Sequence, residues 1–367
     1  MKTLLCLLFL ASLWRAESKS DVYDSKTCGL PSEEFKKGQS KEKAVEEPAQ
    51  EVVAEKAAAE KAVTDDYSPD YKLSDTEDDM EDDPNDPMRT KVMGGVRALK
   101  GELPWSVIVD LTYLARQCGG TLISKRHVIT AAHCFWKEKE SGNAACSTDD
   151  MISPEIVRKN LKVAVGATCS MVESEKNCTE EDVGTRIGVK RVKFEHFFET
   201  HCNGTNDIAI IELLQEVPKG IHHACLPHLH EVDELSDPSI RVSSSGWGTD
   251  PLKDYVNETT PFLQKVDLGV KMTDKECKRL NLFVKEDTFC TYEQSERNVC
   301  HGDSGGGITA SVDGRTYLLG VISFGTGCDE LLNGKPPSSQ VNTNVTHHAS
   351  MIDEWLGRTG DTKKKTI

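Results

Sequence analysis

A serine lies in a glycine-rich stretch whose residue types could support nucleophilic chemistry. The stretch Cys300-His301-Gly302-Asp303-Ser304-Gly305-Gly306-Gly307 sets Ser304 between an acid and three glycines. Glycine allows positive φ and close backbone approach, so such a run can aim several N–H groups at one point. Those donors could stabilise the oxyanion that forms when Ser304 attacks a carbonyl. Taken alone, the stretch is also typical of a simple glycine-rich turn.

Two other stretches supply the partners that a serine nucleophile needs. His133 follows Thr130-Ala131-Ala132, and Asp207 heads the apolar run 208–211. A hydroxyl is a weak nucleophile near neutral pH unless a base removes its proton, and an acid behind a histidine fixes its tautomer. Separately, these motifs could be a core histidine and a turn before a strand. Together, in the order His, Asp, Ser, they indicate a catalytic triad.

The segments that must position these residues are mostly short strands. From Val92 onward, apolar or alternating runs recur between turn signals, which is typical of an all-β sandwich or a pair of barrels. Only His347–Leu356 has a convincing amphipathic helical pattern, with Ile352, Trp355 and Leu356 on one face. The strand-like runs are Trp105–Leu111, His127–Thr130, Leu161–Val165, Asp207–Leu214, Phe262–Val270 and Tyr317–Phe324.

The region from Val92 to about Gly357 resembles the chymotrypsin/trypsin-like serine peptidases. The resemblance implies two antiparallel six-stranded β-barrels, with the active site in the cleft between them and a C-terminal helix. It rests on the triad stretches above together with Val92-Met93-Gly94-Gly95, Pro104-Trp105, Cys118-Gly119-Gly120-Thr121-Leu122-Ile123, Gly246-Trp247-Gly248 and Ser323-Phe324-Gly325.

The same resemblance implies a role for each residue of the site. Ser304 would be the nucleophile, His133 the general acid and base, and Asp207 its orienting carboxylate. The N–H groups of Gly302 and Ser304 would form the oxyanion hole. Ser323, Phe324 and Gly325 would pair with the substrate backbone, and Phe324 stands where tryptophan is usual in the family.

The chain is expected to be a zymogen with three parts. Residues 1–16 are typical of a signal peptide, with Lys2 ahead of the apolar run 4–13. Residues 17–91 are acidic, proline-containing and poor in apolar side chains, which predicts a largely disordered pro-segment. Residues 92–367 form the peptidase domain with a short basic tail. By the resemblance, cleavage after Lys91 would free the amine of Val92 to bury against Asp303. The basic residue at the cut predicts an activating trypsin-like protease.

The cysteines predict a disulfide-bonded, secreted protein. Thirteen are present, and removal of the signal peptide with Cys6 leaves an even number. The resemblance implies the pairs Cys118–Cys134, Cys277–Cys290 and Cys300–Cys328, and a pro-segment tether Cys28–Cys225. The other four cysteines allow three pairings, of which we favour Cys169–Cys178 and Cys146–Cys202. Sequons that begin at Asn177, Asn203, Asn257 and Asn344 agree with secretion.

The primary specificity pocket is the least determined part of the site. By the resemblance, Asn298 forms its floor and Val299 lines it, and trypsin-type members carry an aspartate where Asn298 stands. An uncharged floor predicts no strong preference for Arg or Lys. Gln340, or a neighbour of it, stands near a position where glycine usually keeps the pocket open, so the pocket is expected to be narrow.

Charge and motif content limit the partners. The net charge of −16 argues against nucleic acid, no stretch after the signal peptide is apolar enough for a membrane span, and no metal or other cofactor is expected. Partners would be protein or peptide substrates, the activating protease and protein inhibitors. Two alternatives remain: a catalytically silent, secreted binding homologue, and a regulatory protease restricted to few substrates.

Overall fold

The computed structural model describes residues 22–39, 93–111, 116–137, 150–194, 196–200, 202, 204–249, 261–281 and 284–358. Within them, short strands predominate and helices are few. The strands are β1 (Val96–Arg97), β2 (Ser106–Leu111), β3 (Arg116–Leu122), β4 (His127–Thr130), β5 (Lys162–Val165), β6 (Thr185–Phe194), β7 (Ala209–Leu213), β8 (Arg241–Gly246), β9 (Gln264–Val270), β10 (Thr288–Tyr292), β11 (Gly307–Val312), β12 (Arg315–Phe324) and β13 (Ser339–Asn344). The helices are α1 (33–39), α2 (Pro154–Asn160), α3 (Asp274–Leu280), α4 (Cys328–Leu332) and α5 (Ala349–Trp355).

The first half of the domain closes into a six-stranded barrel in the order β2-β3-β4-β7-β6-β5. β4 and β7 are fully buried runs rich in Val and Ile, which suit a pleated surface that packs on both faces. The antiparallel register pairs Thr130, the last residue of β4, with Ala209, the first residue of β7. The chain therefore leaves β4 toward His133 and enters β7 from Asp207 at the same end of the barrel.

The second half is a curled antiparallel sheet in the order β1-β9-β8-β11-β12-β13-β10. The N–H of Met272, just beyond β9, donates to the carbonyl of Cys290 in β10 at 2.9 Å, so the two edges of the sheet meet. The all-β, two-barrel fold class predicted from the sequence is confirmed. One detail differs: besides the six strands β8 to β13, the two-residue β1 pairs with the edge of β9.

Helices occupy the connections and the C-terminal end. The amphipathic pattern at 347–356 gives α5, whose Ile352 is fully buried. Ser153 caps α2 by accepting a hydrogen bond from the N–H of Ile156, and Thr273 and Glu276 form a capping box on α3. Among the described residues, no helix has the length and apolar character to cross a membrane.

Residues 22–39, part of the predicted pro-segment, pack against both halves of the domain, at Lys125 between β3 and β4 and at Arg315. The buried Tyr23 accepts a hydrogen bond from the N–H of Leu226 at 3.1 Å, and its hydroxyl lies 2.7 Å from Nε2 of His230. Cys28 is bonded to Cys225. The guanidinium of Arg315, at the start of β12, donates to the carbonyls of Ser25, Lys26 and Cys28. This short segment is thus held by a disulfide and by a set of hydrogen bonds.

Candidate active site

The loop that carries Ser304 lies between β10 and β11 and is built around glycine. Gly302 and Gly305 have φ of +93° and +81°, values that side chains other than glycine rarely tolerate. A β-carbon on Gly305 would lie 2.2 Å from Oγ1 of Thr130, so the loop packs directly on the end of β4. The carbonyl of Ser304 accepts a hydrogen bond from the N–H of Gly119 at 2.8 Å. These contacts fix the serine beside the first barrel.

His133 and Asp207 form a hydrogen-bonded pair at the end of that barrel. Nδ1 of His133 lies 2.7 Å from Oδ2 of Asp207, and the backbone N–H of His133 donates to Oδ1 of the same carboxylate at 2.8 Å. With Nδ1–H donating to the carboxylate, Nε2 is free to accept a proton. The Asp207 side chain is 2% exposed and that of His133 is 26% exposed. The carboxylate is therefore shielded while the base remains accessible.

The electrostatics of this pair suit general base catalysis. Burial lowers the pKa of His133, as does the charge of Arg116, but the Asp207 carboxylate more than offsets both and the pKa is raised. Burial raises the pKa of Asp207, and hydrogen bonds and the His133 charge reverse this, so the carboxyl stays ionised. Ser323 contributes by donating its hydroxyl to Oδ2 of Asp207. A predicted substrate-binding residue thus also touches the triad acid.

The backbone donors of the serine loop divide into two groups. The N–H groups of Asp303, Gly305 and Gly306 donate to the carbonyls of Cys300, Ile322 and Asp303, at 3.1, 3.0 and 2.8 Å. Within the described part of the chain, the N–H groups of Gly302 and Ser304 have no such acceptor. These two are the donors that the sequence assigns to the oxyanion hole. Unpaired backbone donors of this kind are what an oxyanion hole is built from.

Asp303 lies in a tight buried pocket beneath the serine. Its carboxylate accepts hydrogen bonds from the N–H groups of Cys300 and Gly248, each at 2.8 Å. A β-carbon on Gly246 or Gly248 would lie 2.1 or 2.4 Å from a carboxylate oxygen, which explains the glycines of Gly246-Trp247-Gly248. Burial raises the pKa of Asp303 to about 6. Such a carboxylate would be stabilised by a positive charge.

The residues that the sequence assigns to substrate binding are mostly buried. Asn298 is fully buried, and neither its Oδ1 nor its Nδ2 has a hydrogen-bond partner among the described residues. Val299 is buried beside it, and Phe324 at the end of β12 is half-buried. A β-carbon on Gly325 would lie 2.0 Å from Oε1 of Gln340. The Gln340 amide therefore packs onto the backbone of Gly325, where the sequence predicts a narrow pocket.

Five of the predicted disulfide pairs are bonded in the structure. They are Cys28–Cys225, Cys118–Cys134, Cys169–Cys178, Cys277–Cys290 and Cys300–Cys328. Cys202 is disulfide-bonded, and its predicted partner Cys146 lies outside the described residues. So do the predicted signal peptide, the predicted activation site at Lys91 and Val92, and the sequons at Asn203 and Asn257. Asn177 is exposed at the end of a short turn, and Asn344 is half-buried at the end of β13.

Several residues that shape the site are absent from the sequence-based prediction. Thr130 donates its hydroxyl to the carbonyl of Gly119 at 2.7 Å, and Thr343 donates to the carbonyl of Asp207 at 2.9 Å. Oδ2 of Asp287 accepts the N–H of Asn206. Thr130 lies within the motif that contains His133. Thr343 and Asp287 carry no local sequence signal, because their roles depend on contacts across the interface of the two barrels.

A serine, a histidine and an aspartate brought together where two β-barrels meet define the two-barrel class of serine peptidases. The family comparison agrees: the trypsin family model matches residues 92–352. The chain belongs to the trypsin family of serine proteases.

Individual relatives support this membership. The chain is 34% identical over 276 residues to the trypsin-like protease try-5 of Caenorhabditis elegans, covering 70% of this chain and 83% of that protein. It is 28% identical over 288 residues to CLIP domain-containing serine protease B14 of Anopheles gambiae, covering 73% and 72%. It is 27% identical over 278 residues to vitamin K-dependent protein C of Rattus norvegicus, covering 73% of this chain and 52% of that protein.

Proposed function

We propose that the chain is a secreted serine endopeptidase, made as a zymogen, that hydrolyses peptide bonds through an acyl-enzyme on Ser304. The observation that carries the proposal is the His133–Asp207 pair at 2.7 Å beside a serine loop with two unused N–H donors. No triad residue is lost, which argues against a binding-only homologue. A fluorophosphonate probe tests the proposal: it should label the protein after trypsin cleavage, and the absence of labelling would contradict it.

In the proposed reaction, Nε2 of His133 takes the proton of the Ser304 hydroxyl as Oγ bonds to the substrate carbonyl carbon. The resulting oxyanion is stabilised by the N–H groups of Gly302 and Ser304, each such donor being worth about 3–4 kcal/mol. The imidazolium then donates its proton to the leaving amine. Water, deprotonated by His133, releases the acid product and restores Ser304. Asp207 stays ionised throughout and stabilises the imidazolium.

Activation by cleavage after Lys91 is supported by the surroundings of Asp303. The next described residue after the proposed cut, Met93, is fully buried, and its carbonyl accepts the N–H of Asn298 at 3.0 Å. The new chain terminus would therefore lie close to the pocket floor. An ammonium at Val92 would pair with the buried Asp303 carboxylate. This pairing would lower the pKa of Asp303 from the value of about 6 that burial gives it. Since Asp303 adjoins Ser304, this pairing would order the oxyanion loop.

Cleavage after Lys91 should leave the pro-segment attached. The Cys28–Cys225 disulfide crosses the cut. On denaturing gels of trypsin-activated protein, we expect the fragment that contains Cys28 to separate only with reductant. In the Cys28→Ser/Cys225→Ser double variant it should separate without reductant, yet co-elute in native gel filtration because Tyr23 and Arg315 still hold it. Release of the fragment from the unsubstituted protein without reductant would contradict the tether.

The pocket supports a preference for small or neutral side chains before the scissile bond. Its floor, Asn298, carries no charge, and the Gln340 amide occupies the space in front of Gly325. The nearest carboxylate to this wall is Glu293, and its two oxygens already accept the N–H groups of Thr326 and Ser338 at 2.6 and 2.7 Å. An arginine or lysine side chain would find no free carboxylate to pair with. The pocket would also be too short to hold it.

Profiling with a peptide library checks this specificity. The activated enzyme should show no strong preference for Arg or Lys before the scissile bond. Gln340→Gly should admit larger apolar side chains, with a gain of about tenfold or more, since one or two buried methylenes account for roughly 1–3 kcal/mol of discrimination. Asn298→Asp is the matched comparison, because it should raise cleavage after basic residues. A clear Arg or Lys preference in the unsubstituted enzyme would show that this interpretation is wrong.

The remaining proposals concern the setting of the enzyme. The disulfides and the sequons support secretion, and the exposed Asn177 is the most accessible of the described sequons. The basic residue at the proposed cut, Lys91, supports activation by a trypsin-like protease. Protein substrates and protein inhibitors are the expected partners. The narrow pocket supports a regulatory protease with few substrates rather than a broad digestive one.

A further inference from the structure

A buried acid and histidine lie behind the catalytic aspartate, and neither takes part in the reaction described above. Asp287 immediately precedes β10, and His348 immediately precedes α5. Their side chains are 3% and 5% exposed, and Nε2 of His348 lies 3.5 Å from Oδ2 of Asp287, within ion-pair range. A buried carboxylate is costly unless charges and hydrogen bonds compensate it. The partners of this carboxylate therefore indicate its role.

The carboxylate faces the turn that carries the triad acid. Oδ2 of Asp287 accepts the backbone N–H of Asn206 at 2.5 Å. Asn206 has φ of +59°, a left-handed conformation that costs free energy in residues other than glycine. The turn is tight, because the N–H of Ile208 donates to the carbonyl of Asn206 at 2.7 Å. Asp207 therefore lies at the centre of a turn whose first residue is anchored by Asp287.

The second barrel holds this turn at two points, the N–H of Asn206 and the carbonyl of Asp207. Asp287 accepts the first, and the hydroxyl of Thr343 donates to the second at 2.9 Å. Asp287 is itself fixed within the second barrel, because its carbonyl accepts the N–H of Asn344 at 2.8 Å. Burial raises the pKa of Asp287, but His348 and the N–H of Asn206 more than offset this and the pKa lies below its usual range. The carboxylate is thus a charged acceptor for the N–H of Asn206.

We propose that Asp287, paired with His348, is a positioning residue that fixes the Asp207 carboxylate against His133 by anchoring the N–H of Asn206. It touches neither substrate nor a reacting atom. It links β10 and α5, both in the second half of the domain, to the acid carried by the first barrel. This inference rests on the proposed function, since it concerns the same triad.

Two substitutions of similar size distinguish the loss of the acceptor oxygen of Asp287 from the loss of its charge. Asp287→Asn keeps an oxygen that can accept the N–H of Asn206, so kcat should stay within about threefold of the unsubstituted value. Asp287→Leu fills the space without an acceptor, and kcat should fall about 10- to 100-fold, because displacements near 1 Å cost rates of that order. KM should change less than threefold in both. In the nuclear magnetic resonance spectrum, the low-field signal of the His133 Nδ1–H should persist in the Asn variant and shift or broaden in the Leu variant.

A second buried acid–histidine pair offers a matched control. Asp353 of α5 is also buried, and its Oδ1 lies 3.1 Å from Nε2 of a histidine, His228. Among the described residues, its side chain makes no hydrogen bond to the Asp207 turn. Asp353→Leu should lower the melting temperature and leave kcat within about threefold. If Asp287→Leu does not fold, the double variant Asp287→Leu/His348→Phe replaces the whole buried pair, a change that is often tolerated, and should show the same loss of kcat.

The outcomes distinguish a failure of the positioning role from a failure of the proposed function. A folded Asp287→Leu, or the folded double variant, with the kcat and the low-field signal of Asp353→Leu would overturn the positioning role. So would a loss confined to KM, or a tenfold loss of kcat in Asp287→Asn. If the unsubstituted, trypsin-activated protein neither hydrolyses peptides nor reacts with a fluorophosphonate, the proposed function itself fails, whatever the variants do.

Discussion

Replacing Ser304 with alanine is expected to lower kcat for peptide hydrolysis by about 10⁶-fold, because the covalent pathway needs its hydroxyl. The fold should survive the change, since the contact that the loop makes through this residue uses its carbonyl, which accepts the N–H of Gly119. The measurement is hydrolysis of a peptide substrate by trypsin-activated protein, together with fluorophosphonate labelling. The variant should bind a tight protein inhibitor and take up no label.

A control serine lies on the surface of the second barrel. Ser311 of β11 is exposed, and among the described residues its side chain bonds only to the hydroxyl of Thr316. Ser311→Ala should retain full activity and full labelling. Fluorophosphonate-sensitive hydrolysis in Ser304→Ala at more than about a thousandth of the unsubstituted rate would mean that another residue is the nucleophile. An inactive unsubstituted protein would instead favour the catalytically silent homologue.

Six of the thirteen strands in the described residues, and the order of the site residues along the chain, were predictable because both depend on local sequence. Val, Ile and turn residues mark β4, β7 and β9, and the six observed strands begin within two residues of the predicted runs. The other seven strands, β1, β3, β6, β8, β10, β11 and β13, were not among those runs. The triad motifs are equally local, and the register of β4 and β7 brings two of them together. Helices α2 and α3 were missed because each buries a single residue, Val157 or Cys277, and so has no apolar face, although Thr273 and Glu276 carry a capping signal. The equally short α5 buries Met351 and Ile352, which gave it a recognisable pattern.

The contacts that connect the two halves of the domain could not be predicted. Asn206, Asp287 and His348 are far apart in the chain, and each is of a common polar type. Only the packing of β10 and α5 behind the Asp207 turn makes them a unit. Gln340 illustrates an intermediate case, because its approximate place was predicted and the contact of its amide with Gly325 required the structure.

Asp207→Asn should lower kcat by about 10⁴-fold while leaving KM nearly unchanged. Asparagine has the same shape, so the backbone N–H of His133 can still donate to its oxygen. Its amide N–H₂, facing Nδ1, would favour the tautomer with the proton on Nε2, which cannot accept the proton of Ser304. The carboxylate that stabilises the imidazolium is lost as well. Both effects act on the transition state rather than on binding, which is why KM is spared.

The pH dependence of kcat/KM tests the Asp207→Asn substitution independently of the size of the loss of kcat. The base must be neutral, so activity falls as pH falls through the pKa of His133, which Asp207 raises above its ordinary value of about 6.5. Without the carboxylate, burial and the charge of Arg116 remain, and both lower this pKa. The acid limb of kcat/KM should therefore move to lower pH in Asp207→Asn. Asp353→Asn, at the other buried acid–histidine pair, should leave the limb in place. An unshifted limb in Asp207→Asn would show that Asp207 does not set the charge of the base, even if the rate falls as expected.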